Sequence, residues 1–286
     1  WSVTQDRRGF IYVASNHGIL QYDGEQWNRI LTASDTPTRS VAADSLVYVG
    51  ARSDFGYLRP DSVGTLRYHS LLDRIPKEKR GFGDVWSTHT VGGNVYFQSR
   101  KYLFRWDGKK ITTWTSEGEF HTSFVAGHNL YIRDTDQGLL RLEGGRLRKI
   151  IGGEKFSDTP IYMMSVRPDG RLVIATQDRG LLVQKGESFR SLTPDLVPFL
   201  SQNNLYHGTS LSGGRYALAT IQAGVVVVNS SGDVVRVLDD SSGLPVNVVN
   251  HVFSGREGQL WMALNNGQVF QAGLSIPLTV HDERTS

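Results

Sequence analysis

The stretch DRRGFIYVASNHGILQYDG, Asp6 to Gly24, decides the fold. It opens in a polar turn closed by Gly9, runs through apolar Ile11 to Ala14, breaks at Gly18 and resumes at Ile19 before a second turn at Asp23 and Gly24. Short apolar runs between Gly-bearing polar turns read as antiparallel strands joined by hairpins. The unit returns as SLVYVGARSDFGYLRPD from Ser45, GGNVYFQSRKYLFRWDG from Gly92 and GHNLYIRDTDQGLLRLEGG from Gly127. It returns again as DGRLVIATQDRGLLVQKGE from Asp169, GGRYALATIQAGVVVVNSSG from Gly213 and EGQLWMALNNGQVFQAG from Glu257. Aligned on Ile11, Val47, Val95, Leu130, Leu172, Tyr216 and Leu260, the copies lie 35 to 48 residues apart. A strand-only repeat of about 40–50 residues is the signature of a β-propeller.

Seven copies account for essentially all 286 residues. The expected fold is therefore all-β, a single seven-bladed β-propeller of four-stranded antiparallel blades over residues 1–286. The segments EQWNRI, KITTWT, SFRSL and DVVRVL supply fourth strands, and no stretch has the three-and-four apolar spacing of an amphipathic helix. Small residues after the second strand (Ala14, Ala175, Ala219, Ala263) allow neighbouring blades to approach closely, and Trp27, Trp106, Trp114 and Trp261 read as packing residues. Trp1 to Gln5 reads as the innermost strand of blade one and SIPLTV, from Ser275, as the outermost of blade seven. No strand is left over to cross the seam, so the ring closes on blade packing alone or on a strand outside this sequence. The chain opens on Trp1 without a basic-then-apolar leader and reads as the N-terminal fragment of a larger protein.

Composition removes several classes of function. With 39% hydrophobic and 21% charged residues the chain is an ordinary globular one, and no apolar run approaches the ~18 residues of a membrane span. Cysteine is absent, which excludes disulfides, thiolate nucleophiles and Cys-ligated metals together. The net charge of +3 is spread among mixed signs, which argues against nucleic acid as a partner. No nucleophile elbow, phosphate loop or dinucleotide fingerprint occurs. The DTDQG at Asp134 begins like a calcium loop, but Gly145 stands where its twelfth-position Glu belongs, so it reads as a turn between strands. The eight histidines lack metal-ligand spacing; His121 and His207 are expected to approach each other near the axis. Neither a metal nor a cofactor is expected.

The repeats QDRRGFIYVASNHGILQYDG, PDGRLVIATQDRGLLV and GLPVNVVNHVFSGREGQLWMALNNG resemble the two-component regulator propeller repeats of bacterial sensor proteins. Blade seven fits best, through Asn250, Gly258, Leu260, Trp261 and Gly267, and blade one fits through Gln5, Asp6, Gly9 and Gly18. Blades two and three depart from the pattern, with Tyr48 and Tyr96 in place of Trp and no second Gly in blade three. The resemblance implies a sensor segment on the periplasmic or extracellular side of a bacterial membrane protein. In such proteins the propeller precedes a small β-sandwich, a membrane helix and a signalling module, often a histidine kinase or cyclase. A second propeller often follows, and related sensors of gut bacteria recognise glycan fragments.

In a propeller, the loop joining strands two and three shares a face with the loop that enters strand one. Ligands are expected there, where seven loops converge on the axial channel. The residues assigned to ligand binding are Arg39, Arg52, Trp86, Arg100, His121, Tyr162, Arg179, Tyr206 and Asn265. Aromatic rings can stack on sugars, planar side chains can bind hydroxyls, and the four arginines together can bind a carboxylate bidentately. The competing reading makes each a solvated loop residue with a local turn role.

The leading function is a sensor that binds a small ligand, with an oligosaccharide first among candidates, and passes binding to downstream modules; no catalytic residue is assigned. A second copy of the chain is also admitted as a partner. The alternatives are a propeller glycosidase or lyase, for which Asp54, Asp134, Asp136 and Asp178 lie on the right face, and a protein-interaction platform.

Overall fold

A computed structural model describes residues 1–33 and 35–274. Seven antiparallel sheets follow one another along the chain, each with its strands in sequence order from the axis outward. The first strands are Ser2–Gln5, Thr38–Ala43, Ser87–Val91, Phe120–Ala126, Ile161–Val166, Leu205–Leu211 and Val249–Ser254. Each packs beside the first strand of the next blade, and Val249–Ser254 returns to Ser2–Gln5, so the ring is closed. Six sheets have four strands and blade seven has three among the described residues; the fourth strand assigned to SIPLTV lies outside them.

The hydrophobic core is a set of seven wedges, one per joint. Tyr12, Ala14 and Ile19 pack on Val41 and Val49 between blades one and two; Phe55, Phe97 and Phe104 fill the joint between two and three. Tyr96 and Leu103 meet Phe120 and Ile132 at the next joint, and Leu139 and Phe156 meet Ile161 and Ile174 beyond it. Val173 and Ala175 face Leu218, and Ala219 and Val225 face Met262 and Leu260. The seventh wedge, Val3, Ile11 and Val13 against Trp261 and Ala263, closes the seam. A four-stranded sheet leaves both faces apolar, and the ring is the arrangement in which every face finds a partner. The four alanines are fully or almost fully buried, as expected for close approach.

The seam also carries polar contacts. The Arg256 backbone N–H donates to Gln5 Oε1 (3.0 Å) and its guanidinium to the Arg7 carbonyl (2.8 Å).

Two details differ from the sequence reading. Trp27 is 44% exposed and stacks on Tyr22 at 4.8 Å, so it covers an outer edge instead of filling a joint. The connection between blades five and six contains a six-residue helix, Val197–Gln202, too short to show helical periodicity in the sequence. It buries Leu200 in the adjoining wedge.

Candidate functional site

The first strand of each blade starts at the face where the strand-two-to-three loops lie, and its start is irregular. Pairing with the second strand slips between Thr38 and Ser40, Phe120 and Thr122, Ile161 and Met163, Leu205 and His207, and Val249 and His251. The residues left over are Arg39, His121, Tyr162, Tyr206 and Asn250. A bulge inserts one unpaired residue, increases the local twist and re-aims a side chain. Trp1 and Trp86 take the equivalent place in blades one and three, immediately before the first paired residues Ser2 and Ser87. One residue per blade therefore forms a ring at the mouth of the channel, whose cavity is about 570 Å³.

Arg39 is the most constrained member. It is 8% exposed, its guanidinium lies 4.6 Å over Trp1 and 5.9 Å from Trp86, and Nη1 donates to Asn16 Oδ1 at 2.8 Å. Asn16 Oδ1 also accepts from the Trp1 indole (2.8 Å), and the two indoles meet edge to face at 6.3 Å. Asp84 Oδ2 is 3.5 Å from Arg39 Nε, which is buried and makes no hydrogen bond. Across the mouth, His121 meets Tyr162 edge to face at 6.0 Å. Burial, then the charges of Arg133 and Arg100, lower the His121 pKa to about 4, so this ring is neutral. Burial raises the Tyr206 phenol, against the opposing fields of Arg100 and Arg39.

Below the mouth the channel is lined by histidines that join blades. The inner edge of each first strand carries backbone groups without a strand partner, and these need satisfying. Val252 N–H donates to His207 Nδ1 (3.3 Å) from blade seven to blade six, and Val3 N–H to His251 Nδ1 (3.4 Å) from blade one to blade seven. His89 Nε2 donates to the Ser123 carbonyl at 2.9 Å. Burial lowers His89 and His207 to about 4 and His251 well below its ordinary value, the charge on a neighbouring histidine adding to the effect for His207 and His251. Ser40 and Thr122 do the same work at other joints, donating to Val85 O (2.8 Å) and Ile161 O (3.0 Å).

Of the nine residues assigned from sequence, Arg39, Trp86, Arg100, His121, Tyr162 and Tyr206 line the channel. Arg52, Arg179 and Asn265 do not. Arg52 instead pairs with Asp84, 3.2 Å from its Nε. Arg179 is held in a tight turn in which its N–H donates to Thr176 Oγ1 (3.1 Å), and Asn265 N–H closes onto the Val248 carbonyl (3.2 Å). The ring of four arginines is thus reduced to two. His207 stacks on His251 at 3.9 Å and not on His121. Trp1, Asn250, His89 and His251 were not assigned from sequence and belong to the lining.

The four aspartates divide into turn formers and rim residues. Asp54 and Asp134 are buried: the first accepts from Ser70 (2.5 Å) and Phe55 N–H (2.8 Å), the second from Asp136 N–H (2.9 Å) and Gln137 N–H (3.0 Å). DTDQG is accordingly a capped turn. Asp136 and Asp178 are exposed and outside the lining, which contains no carboxylate among the described residues. No group of three or more metal-ligating side chains occurs among those residues, and no helix there is long and apolar enough to cross a membrane.

The chain is a seven-bladed propeller with a donor-lined axial channel. No family model and no curated protein matches it. Among solved structures it is similar to the extracellular domain of BT3049 from B. thetaiotaomicron, assigned to a hybrid two component system: 16% identity, TM-score 0.66, covering 94% of this chain and 39% of that one. It is similar to the corresponding domain of BT4673 from the same organism, at 16% identity and TM-score 0.71, covering 94% and 37%. It also resembles a streptogramin B lyase, at 12% identity and TM-score 0.70, covering 95% and 92%. At such identities the likeness is one of fold. The chain spans well under half the length of the two extracellular domains, which come from the class whose repeats its motifs resemble.

Proposed function

We propose that this chain is the ligand-sensing propeller of a bacterial signal-transduction protein, placed outside the cytoplasm, and that a glycan fragment is its ligand. The observation that carries the reading is the ring of seven residues, one from each blade and five of them bulged, around a single channel mouth. A ligand seated there contacts several blades at once, and binding that favours one arrangement of the blades shifts the whole ring. Trp86, Tyr162 and Tyr206 offer rings for stacking on a sugar, and the arginines and neutral histidines offer donors to its oxygens. The family resemblance of the repeats and the likeness to extracellular domains of two component systems support the sensor role and its location.

The lyase of the same fold makes an enzyme the reading to test against. Paired-carboxylate hydrolysis has no carboxylate in the channel lining to use among the described residues. A thermal-shift screen against neutral and acidic oligosaccharides separates the cases. A ligand that binds only the folded state stabilises it by about 2.7 kcal/mol at a hundredfold excess over Kd. The sensor reading expects a concentration-dependent shift with the sugar recovered intact. A cleaved sugar means an enzyme, and no shift from any saccharide contradicts the reading.

A further inference from the structure

We infer that the saccharide of the channel mouth is acidic, and that its carboxylate seats on Arg39 and Arg100. This rests on the reading that the mouth takes a saccharide, and adds the charge of that saccharide and the residues that select it. The channel lining holds two guanidiniums and no carboxylate among the described residues. A guanidinium has five N–H donors, and Arg39 spends one on Asn16. Stacking on Trp1 and the nearby Asp84 fix its plane in advance of any ligand. Pre-organisation of this kind reduces what binding must spend on ordering a long side chain.

Arg100 is the less constrained partner. It is 46% exposed, and its nearest acid, Glu119, is 3.8 Å away, beyond hydrogen-bond distance. Asp84 is shared between Arg39 and Arg52, so neither lining guanidinium has a hydrogen-bonded carboxylate of its own.

Deeper in the channel the donors continue. His207 and His251 accept backbone N–H groups at Nδ1, which leaves the proton of each neutral ring on Nε2. Neither Nε2 has a protein partner among the described residues. A ligand with a carboxylate at one end and ring and hydroxyl oxygens behind it matches a channel of donors, and about 570 Å³ is the size of a small-ligand pocket.

The test is calorimetric titration of the protein with a uronate trisaccharide, the neutral trisaccharide of the same hydroxyl pattern, and succinate. The uronate is expected to bind at least about tenfold more tightly than the neutral sugar, with affinity falling as salt is raised. Arg100→Gln, at an exposed position, is expected to weaken the uronate about tenfold and the neutral sugar less than twofold. Arg39→Lys keeps the charge and loses the fork, so it is expected to weaken the uronate as well, with the melting temperature reporting whether the fold survives. His251→Asn keeps an acceptor for Val3 N–H, removes the Nε2 donor, and is expected to weaken both sugars equally. Equal binding of neutral and acidic sugars, unchanged in Arg100→Gln, would overturn the carboxylate inference and leave the saccharide reading intact. Succinate binding as tightly as the uronate would overturn the sugar body. No binding by any of the three contradicts both.

Discussion

His207 and His251 stack with ring centroids 3.9 Å apart across the joint between blades six and seven, and each accepts a backbone N–H from the blade that follows it. Two aromatic rings thus complete the hydrogen bonding of strand edges that would otherwise face an open channel. The arrangement works only while both rings are neutral, because Nδ1 must stay unprotonated to accept.

That requirement makes stability depend on pH. The unfolded histidines titrate near 6.5, while His89 and His207 are lowered to about 4 in the fold and His251 is lowered well below its ordinary value. Between those values the unfolded chain binds protons that the folded chain does not, so stability is full above about pH 6.5 and falls as pH drops toward 4. Each histidine contributes a slope of roughly 1.4 kcal/mol per pH unit at most. Chemical denaturation from pH 7 to pH 4 should show the fall, and His207→Asn should make it shallower. A flat profile would contradict neutral bridging histidines.

Gly224 immediately precedes the third strand of blade six, Val225–Val228, at φ +68°, and a Cβ there would run into the Leu238 carbonyl of the fourth strand. Gly224→Ala is expected to cost roughly 2–4 kcal/mol, from the left-handed backbone and the clash together. Gly64, at φ +87° with open space around it, should tolerate Ala at about 1 kcal/mol. Equilibrium unfolding of the pair checks the difference.

Thr220 is fully buried, and its hydroxyl accepts from Ala223 N–H (2.9 Å) and donates to the Gly224 carbonyl (3.0 Å). Thr220→Val keeps the shape and strands the Ala223 N–H, while the Gly224 carbonyl keeps the Thr220 backbone N–H (2.8 Å), for an expected loss of about 1–3 kcal/mol. Thr220→Ser should recover most of it. Denaturant midpoints of the two variants measure this directly.

Phe55 is fully buried in the joint between blades two and three, with its ring 4.5 Å from Phe97 and 4.9 Å from Phe104. Phe55→Ala is expected to cost about 3–5 kcal/mol. If blade joints carry the core, the loss will appear in the global unfolding transition. A loss confined to local hydrogen exchange in blade two would contradict that.

The repeat made the fold legible. Gly turns and apolar runs at a fixed period placed the strands, and strand direction placed the loops on their faces. The channel lining was legible where it depended on chain direction: residues entering the first strand, such as Arg39 and Tyr206, do reach the axis. It was illegible where it depended on radius. The loop after strand two sits one strand spacing, about 4.8 Å, farther out, so Arg52 and Arg179 bond to their own surroundings. Arg100 reaches the channel from such a loop, which residue type alone does not reveal. The bulges were also invisible, because each falls at the start of its inner strand and leaves the alternation of the residues after it unbroken. A signal for the bridging histidines was present in LYHG and VNHV, where His207 and His251 stand two places after Leu205 and Val249. It becomes readable once those two residues are known to share a register.

The most direct test is amide hydrogen exchange with and without the saccharide that gives the largest thermal shift. The account predicts added protection at the starts of the first strands, around Arg39, Trp86, His121, Tyr162 and Tyr206, with the lower-face turns at Gly93 and Gly170 unchanged. Protection confined to those lower turns or to the outer strands would contradict a ligand site at the channel mouth.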